Sequence, residues 1–333
     1  MPAQSLCAFC AEIPFEVDAL SSKPADHIFE LGSGLRVLQS QCPFCVLVRD
    51  LIFRARKRRL DLNPPQLSQC DEVFVSWYPN GGPGGRGAFG VWAHHFRLEG
   101  LWICFACKDD SPLSTESPFY LRQSVEPQLD LGRVSRWLEM CSTQHTGGCS
   151  LSDTAPFEGC LPGLRTLRFV DVIDMCLVEK REVCEYVALS YVWGAVPDFR
   201  LTTAHLAKLS KGGALSKTEI LQHIPQTLRD AMTLVQGLGL RYLWVDALCL
   251  VQNRVDEIQS GVAAVMDQIY ERSLFTIVAA NGHDADAGLV GLLEGSRPGS
   301  RPCVEVLRGV RLGVSSDLEI MLQGSAYSQR AWT

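Results

Sequence analysis

Two groups of residues in this sequence of 333 residues have types and spacings that could do chemistry. The first is sulfur. Cys7 and Cys10 are separated by two residues, and so are Cys42 and Cys45, so each pair can present two thiolates about one helical turn apart. Two such hooks suit the four ligands of a tetrahedral zinc ion; buried or surface thiols are the alternative. Cys104, Cys107, Cys141, His145 and Cys149 form a second candidate set. On a helix the last three would share a face, but Gly147-Gly148 works against a helix continuing that far.

The second group is polar and aromatic. Asp246 lies in the apolar run YLWVDAL, and a carboxylate there is costly to bury unless something pairs with it. It could polarise a bound hydroxyl or position a sugar, or it could cap a neighbouring loop. Cys249 could be a nucleophile, yet no histidine stands in an obvious pairing position, and a buried thiol is the plainer reading. Ser190, Tyr191, Trp193 and Gly194 precede these residues, Gln252 and Asn253 accompany them, and Asn281, His283 and Asp284 follow.

Strand ends would bring these clusters together. Residues 164–172 and 175–180 read as a hairpin and Tyr186–Val192 as an apolar strand. Pro225 opens a helix whose Leu228, Ala231, Val235 and Leu238 share a face, and Gly237 and Gly239 close it. Tyr242–Leu248 reads as a strand buried on both faces, then a helix capped by Asn253 with Ile258, Val262, Val265, Met266, Ile269 and Tyr270 on one face, then the strand Leu274–Ala280. Alternating strands and helices predict an α/β fold with a parallel sheet, whose ligands bind beyond the carboxyl ends of the strands. Val304–Val314 adds a hairpin. Upstream, Cys42–Leu60 has helical spacing, and three strands follow between residues 72 and 104. The organisation expected is a cysteine-containing α+β region over 1–108, a linker and helix over 109–163, and an α/β domain over 164–333.

Composition excludes several classes. Hydrophobic residues make up 47% and charged residues 20%, as in ordinary globular proteins, and a net charge of −6 gives no footprint for nucleic acid. The basic run Arg54–Arg59 is read as the solvated end of a helix. No apolar stretch approaches the ~18–20 residues of a membrane span, and the N-terminus lacks the basic-then-apolar order of a signal peptide. A cytoplasmic location is expected, with the cysteines as thiols or metal ligands. NGGPGGRG lacks the Gly-Lys-Ser/Thr ending of a phosphate loop and reads as a hairpin loop.

The strand ends also carry a resemblance. YVALSYVWG at Tyr186–Gly194 resembles the first signature of the heterokaryon incompatibility (HET) domain of fungi, and IPQTLRDA at Ile224–Ala231 with RYLWVDALCLVQ at Arg241–Gln252 resembles its second block. TIVAA, DADAGLVG and the RAWT of residues 330–333 continue the pattern, so the resemblance adds Arg330 and Trp332 to the crevice of Ser190, Tyr191, Trp193, Gly194, Asp246, Cys249, Gln252 and Asn253. In the family RAWT continues into an aromatic or leucine and then Gln-Glu, so stopping at Thr333 marks the domain as C-terminally incomplete. The resemblance implies a flavodoxin-like sheet similar to Toll/interleukin-receptor-type (TIR) domains, and an effector of vegetative incompatibility that kills the cell after non-self recognition through protein partners or self-association. Two alternatives stand beside it. One is a glycohydrolase with NAD as substrate and Asp246 as the catalytic carboxylate; the other is a zinc-dependent interaction adaptor.

Overall fold

The computed structural model describes residues 5–24, 27–58, 67–82, 87–93, 96–107, 121–122, 127–144, 157, 161, 164–194, 200–254, 265–293, 295–297, 303–322 and 325–328. The chain divides into two compact units, Met1–Glu126 with Pro298–Gly324, and Pro127–Arg297 with Ser325–Thr333.

The first unit opens with the short helices Ala8–Ala11 (α1) and Val17–Ser21 (α2), the strand Ile28–Glu30 (β1) and the helices Gly34–Gln39 (α3) and Pro43–Arg58 (α4). Ser33 caps α3, its Oγ accepting the Arg36 N–H at 3.3 Å. Pro43 starts α4 at the position where a missing N–H costs nothing. Phe44, Cys45, Leu47, Val48, Leu51, Ile52 and Ala55 then bury one face of it. Strands Val73–Tyr78 (β2), Ala88–Ala93 (β3), Phe96–Arg97 (β4), Leu101–Cys107 (β5) and Leu121–Arg122 (β6) complete this part of the chain.

The second unit begins with helix Leu131–Gln144 (α5) and the antiparallel hairpin Leu167–Asp171 (β7) and Cys176–Lys180 (β8). Then come strand Val187–Ser190 (β9), helices Thr203–Leu209 (α6), Thr218–Leu221 (α7) and Gln226–Gly237 (α8), and strand Tyr242–Trp244 (β10). Helices Asp246–Cys249 (α9) and Met266–Glu271 (α10) lead to strand Phe275–Val278 (β11). The sheet order is β11-β9-β10-β7-β8, with β9 parallel to both β10 and β11. The sheet is therefore mixed and not purely parallel, because the β7–β8 hairpin extends it by an antiparallel pairing of β10 with β7. Leu228, Ala231 and Val235 of α8 and Ile269 of α10 are buried in one core with Tyr186, Leu189, Leu243 and Trp244. The first crossover leaves β9 for one neighbour and the second returns to the other, so the strand order reverses at β9.

Two expectations are corrected here. The run Tyr242–Leu248 is not one strand: it ends at Trp244, and Asp246 starts α9, where the Cys249 N–H reaches the Val245 carbonyl at 2.8 Å. The apolar character of Ala247 and Leu248 reflects burial of a helical turn, which periodicity cannot tell from a strand in so short a run. Asn253 does cap a helix, but the helix is α6: its Oδ1 accepts the Thr203 N–H and its Nδ2 donates to Thr203 Oγ1, both at 3.0 Å. Of the helix expected after Asn253, residues 255–264 lie outside the described residues.

The chain then returns to the first unit with strands Cys303–Leu307 (β12) and Val310–Ser316 (β13) and helix Leu318–Leu322 (α11). The expected hairpin is present and joins the first unit's sheet, whose order is β1-β2-β3-β5-β13-β12. β13 pairs antiparallel with β5 from Leu312 opposite Phe105 to Ser316 opposite Leu101. Val306, Leu312 and Val314 enter the core formed by α4 and the earlier strands.

Candidate metal centre and strand-end cluster

Cys7 stands at the N-cap of α1 and Cys10 within it; Cys42 immediately precedes α4 and Cys45 lies in its first turn. Folding of these two helix starts brings the four Sγ atoms within 4.8 Å of one another, with Cys10 to Cys45 at 3.6 Å and Cys7 to Cys45 at 3.9 Å. The group could hold a metal ion. Cys10, Cys42 and Cys45 are buried and Cys7 is half-buried. Cys104, buried in β5, is not grouped with them, and His145 and Cys149 lie outside the described residues.

Arg36, on α3, faces this sulfur cluster. Its Nη1 donates to Cys7 Sγ at 3.3 Å and its Nη2 to Cys45 Sγ at 3.5 Å, while Nε donates to the Leu31 carbonyl at 2.6 Å. The sulfurs divide their protons unevenly. Hydrogen bonds with Cys42 and Cys45 push the Cys10 thiol up, and the same bonds from Cys10 and Cys45 draw Cys42 well below the usual thiol range. Burial would raise Cys7, but the Cys10 backbone and the Arg36 guanidinium outweigh it and hold Cys7 low. Cys45 is pushed up to about 11: its bond with Cys10 favours the thiolate, and its bond with Cys42 together with burial outweighs that.

At the carboxyl ends of the second unit's parallel strands, Trp193 Nε1 donates to Asp246 Oδ2 at 3.0 Å. The other carboxylate oxygen accepts the Ala247 N–H at 2.7 Å, so Asp246 both steadies α9 and holds the indole. Gln252 Nε2 donates to the Asp246 carbonyl at 3.1 Å, and the Arg200 guanidinium lies 4.6 Å from the centre of the Trp193 ring. Gly194 has φ +69°, and a Cβ there would lie 2.4 Å from that of Asp284. Beside it the Ala285 N–H reaches the Trp193 carbonyl at 3.2 Å. The loops after β9, β10 and β11 thus converge, as the sheet order requires. Ser190 and Tyr191 are buried beneath them. Cys249 is only 1% exposed. Its thiol lies 3.4 Å from the Val245 nitrogen and 3.7 Å from the Leu243 carbonyl, and burial pushes it up to about 12. Arg330 and Trp332 lie outside the described residues.

Residues 186–333, which include β9, β10 and β11, match the family described as Heterokaryon incompatibility protein (HET). The segment is a HET domain. No curated protein and no solved structure matches the chain. The match supports a role connected with heterokaryon incompatibility, and it spans the cluster just described.

Two segments of the matched region meet in space. The Gln226 N–H at the start of α8 is accepted by Asp286 Oδ1 at 3.0 Å, and the Thr227 N–H by the Ala285 carbonyl at 3.0 Å. In return Thr227 Oγ1 accepts the Gly288 N–H at 3.1 Å, and Asp230 Oδ2 accepts the Leu289 N–H at 2.7 Å. IPQTLRDA and DADAGLVG are therefore two halves of one clasp that pins the loop after β11 onto the start of α8. Sequence reasoning passed over Thr227, Asp230, Arg200 and Arg36. The visible signal for the first two was a polar pair three residues apart on an otherwise apolar helix face; the arginines carry none.

Proposed function

We propose that the chain is a heterokaryon-incompatibility effector, acting in the cytoplasm of a fungal cell, that commits the cell to death after non-self recognition. The match of residues 186–333 to the HET family carries this reading. The α/β sheet is taken to be flavodoxin-like and related to TIR domains, which the β11-β9-β10 order with its reversal at β9 supports. The activity is assigned to the strand-end cluster, with Trp193 and Asp246 at its centre and Ser190, Tyr191, Gly194, Gln252 and Asn253 around them. The first unit serves as the platform for a protein partner or a second copy, with zinc as the ion at its four thiols. The test is conditional expression of the full chain in a filamentous fungus, with viability counted after induction. Wild type should lower viability at least tenfold, and Asp246→Asn or Trp193→Ala should restore it at equal protein level. Normal growth with the wild-type chain accumulating as folded protein, in the presence of an incompatible partner strain, would overturn the proposal.

Arg200 favours a second reading, in which the domain hydrolyses NAD. A guanidinium stacked on Trp193 beside the Asp246 carboxylate offers a cation for a diphosphate, a ring for stacking and a negative charge for an oxocarbenium-like ribose. In that step the ribose–nicotinamide bond breaks, water adds to the ribose carbon and nicotinamide leaves. Nicotinamide release by the purified full chain measures it. No turnover above Asp246→Ala would end this reading.

A further inference from the structure

We infer that Cys7, Cys10, Cys42 and Cys45 hold one zinc ion as a four-thiolate centre, and that Arg36 is the centre's built-in counter-charge. The inference rests on the zinc reading of the first unit and adds to it the residue that makes burial of such a centre tenable.

The geometry points to a metal first. A tetrahedral ion with Zn–S distances of ~2.3 Å sets its sulfurs ~3.8 Å apart. The separations of 3.6 Å and 3.9 Å, within a cluster no wider than 4.8 Å, agree with that value. They are far from the ~2.05 Å of a disulfide. Sulfur-only ligation selects zinc or iron over magnesium, calcium and manganese. Four protein ligands leave no open position for water or substrate, so the centre is structural. It joins the start of α1 to the start of α4, across the segment that carries α2, β1 and α3.

Charge points to Arg36. One zinc ion with four thiolates carries two net negative charges, and three of the four sulfurs are buried. Such charge is costly away from water unless a cation and hydrogen bonds answer it. Arg36 meets two of the sulfurs, one from each hook, through separate N–H groups. It is not a passing surface side chain: Nε is tied to the Leu31 carbonyl, and the guanidinium lies 4.3 Å from the centre of the Phe9 ring. The backbone makes room for it at Gly32, where φ is +74° and a Cβ would lie 3.0 Å from Arg36 Nε.

The experiment uses the untagged full chain purified under reducing conditions. Elemental analysis should find about one zinc per chain, and cobalt exchanged into the site should show the intense thiolate-to-metal absorption of a four-sulfur tetrahedral ion. Less than half an equivalent of zinc, iron in its place, or disulfides among the four cysteines in a non-reducing peptide map would overturn the metal centre. For Arg36 the measurement is the rate of zinc transfer to a chromogenic chelator. Arg36→Gln should release zinc ~10-fold faster, the lower end of what loss of a ligand's hydrogen-bond partner costs. Arg36→Lys, which keeps the charge, should stay closer to wild type. One bound zinc with equal release rates in wild type and Arg36→Gln would overturn the counter-charge while leaving the metal in place. Should Arg36→Gln fail to accumulate, Gly32→Val decides: it should crowd the guanidinium and speed release, and a wild-type rate in it would overturn the assignment.

Discussion

At the scale of single residues, the strand-end cluster separates side chains that hold structure from those that could meet a ligand. Cys249 belongs to the first kind. Its thiol is raised from about 9 to about 12 by burial, so the folded protein keeps a proton that the unfolded chain releases. Stability from this group is complete below pH 9 and declines as pH rises towards 12. Peptide-resolved alkylation at pH 9 should leave Cys249 unmodified in the folded chain and label it fully in denaturant. Trp193 differs, being half-buried with its N–H on a carboxylate. Trp193→Phe should cost ~1.5–3 kcal/mol in urea unfolding, the usual range for a hydrogen bond to a charged group. A smaller loss would mean that Asp246 finds another donor.

At the scale of elements, the clasp between α8 and the loop after β11 ties residues 285–289 to the start of the helix. Asp230 is 4% exposed and accepts from both Leu289 N–H and Gln226 Nε2, so Asp230→Ala leaves two donors unmatched. The expected loss is ~2–4 kcal/mol, with faster hydrogen exchange at residues 285–289 as the local readout. Gly288→Ala should act in the same direction, since its φ of +74° suits glycine and a Cβ would lie 2.8 Å from Asp230 Oδ2. These elements also show what could be read in advance. The apolar faces of α4 and α8, the β7–β8 hairpin and the cysteine hooks follow from local spacing and were legible. The end of β10 at Trp244, the service of Asn253 to α6 and the placing of Arg36 against sulfur depend on partners distant in the chain. Spacing carries no trace of these, because a long-range hydrogen bond constrains two positions without imposing a period on either.

At the scale of the whole molecule, the chain leaves the first unit, builds the second and comes back to finish the first. β5 pairs with β3, with the short parallel strand β6 at Ala106–Cys107, and with β13, whose residues 312–316 lie opposite Leu101–Phe105. Ending the chain at Arg297 should strip Leu101–Phe105 of the hydrogen-exchange protection that β13 supplies and expose core surface otherwise covered by Val306, Leu312 and Val314. Retained protection there would show that β5 is stable as an edge. The same path has a meaning on the ribosome. Residues of the first unit emerge early but wait for β12 and β13, on the order of tens of seconds at ~5–20 residues per second. Through that interval β5 is an open edge of the kind chaperones hold, and a prematurely terminated message would leave it open for good. The sheet thus closes only once translation has passed Ser316, well into the segment that matches the HET family.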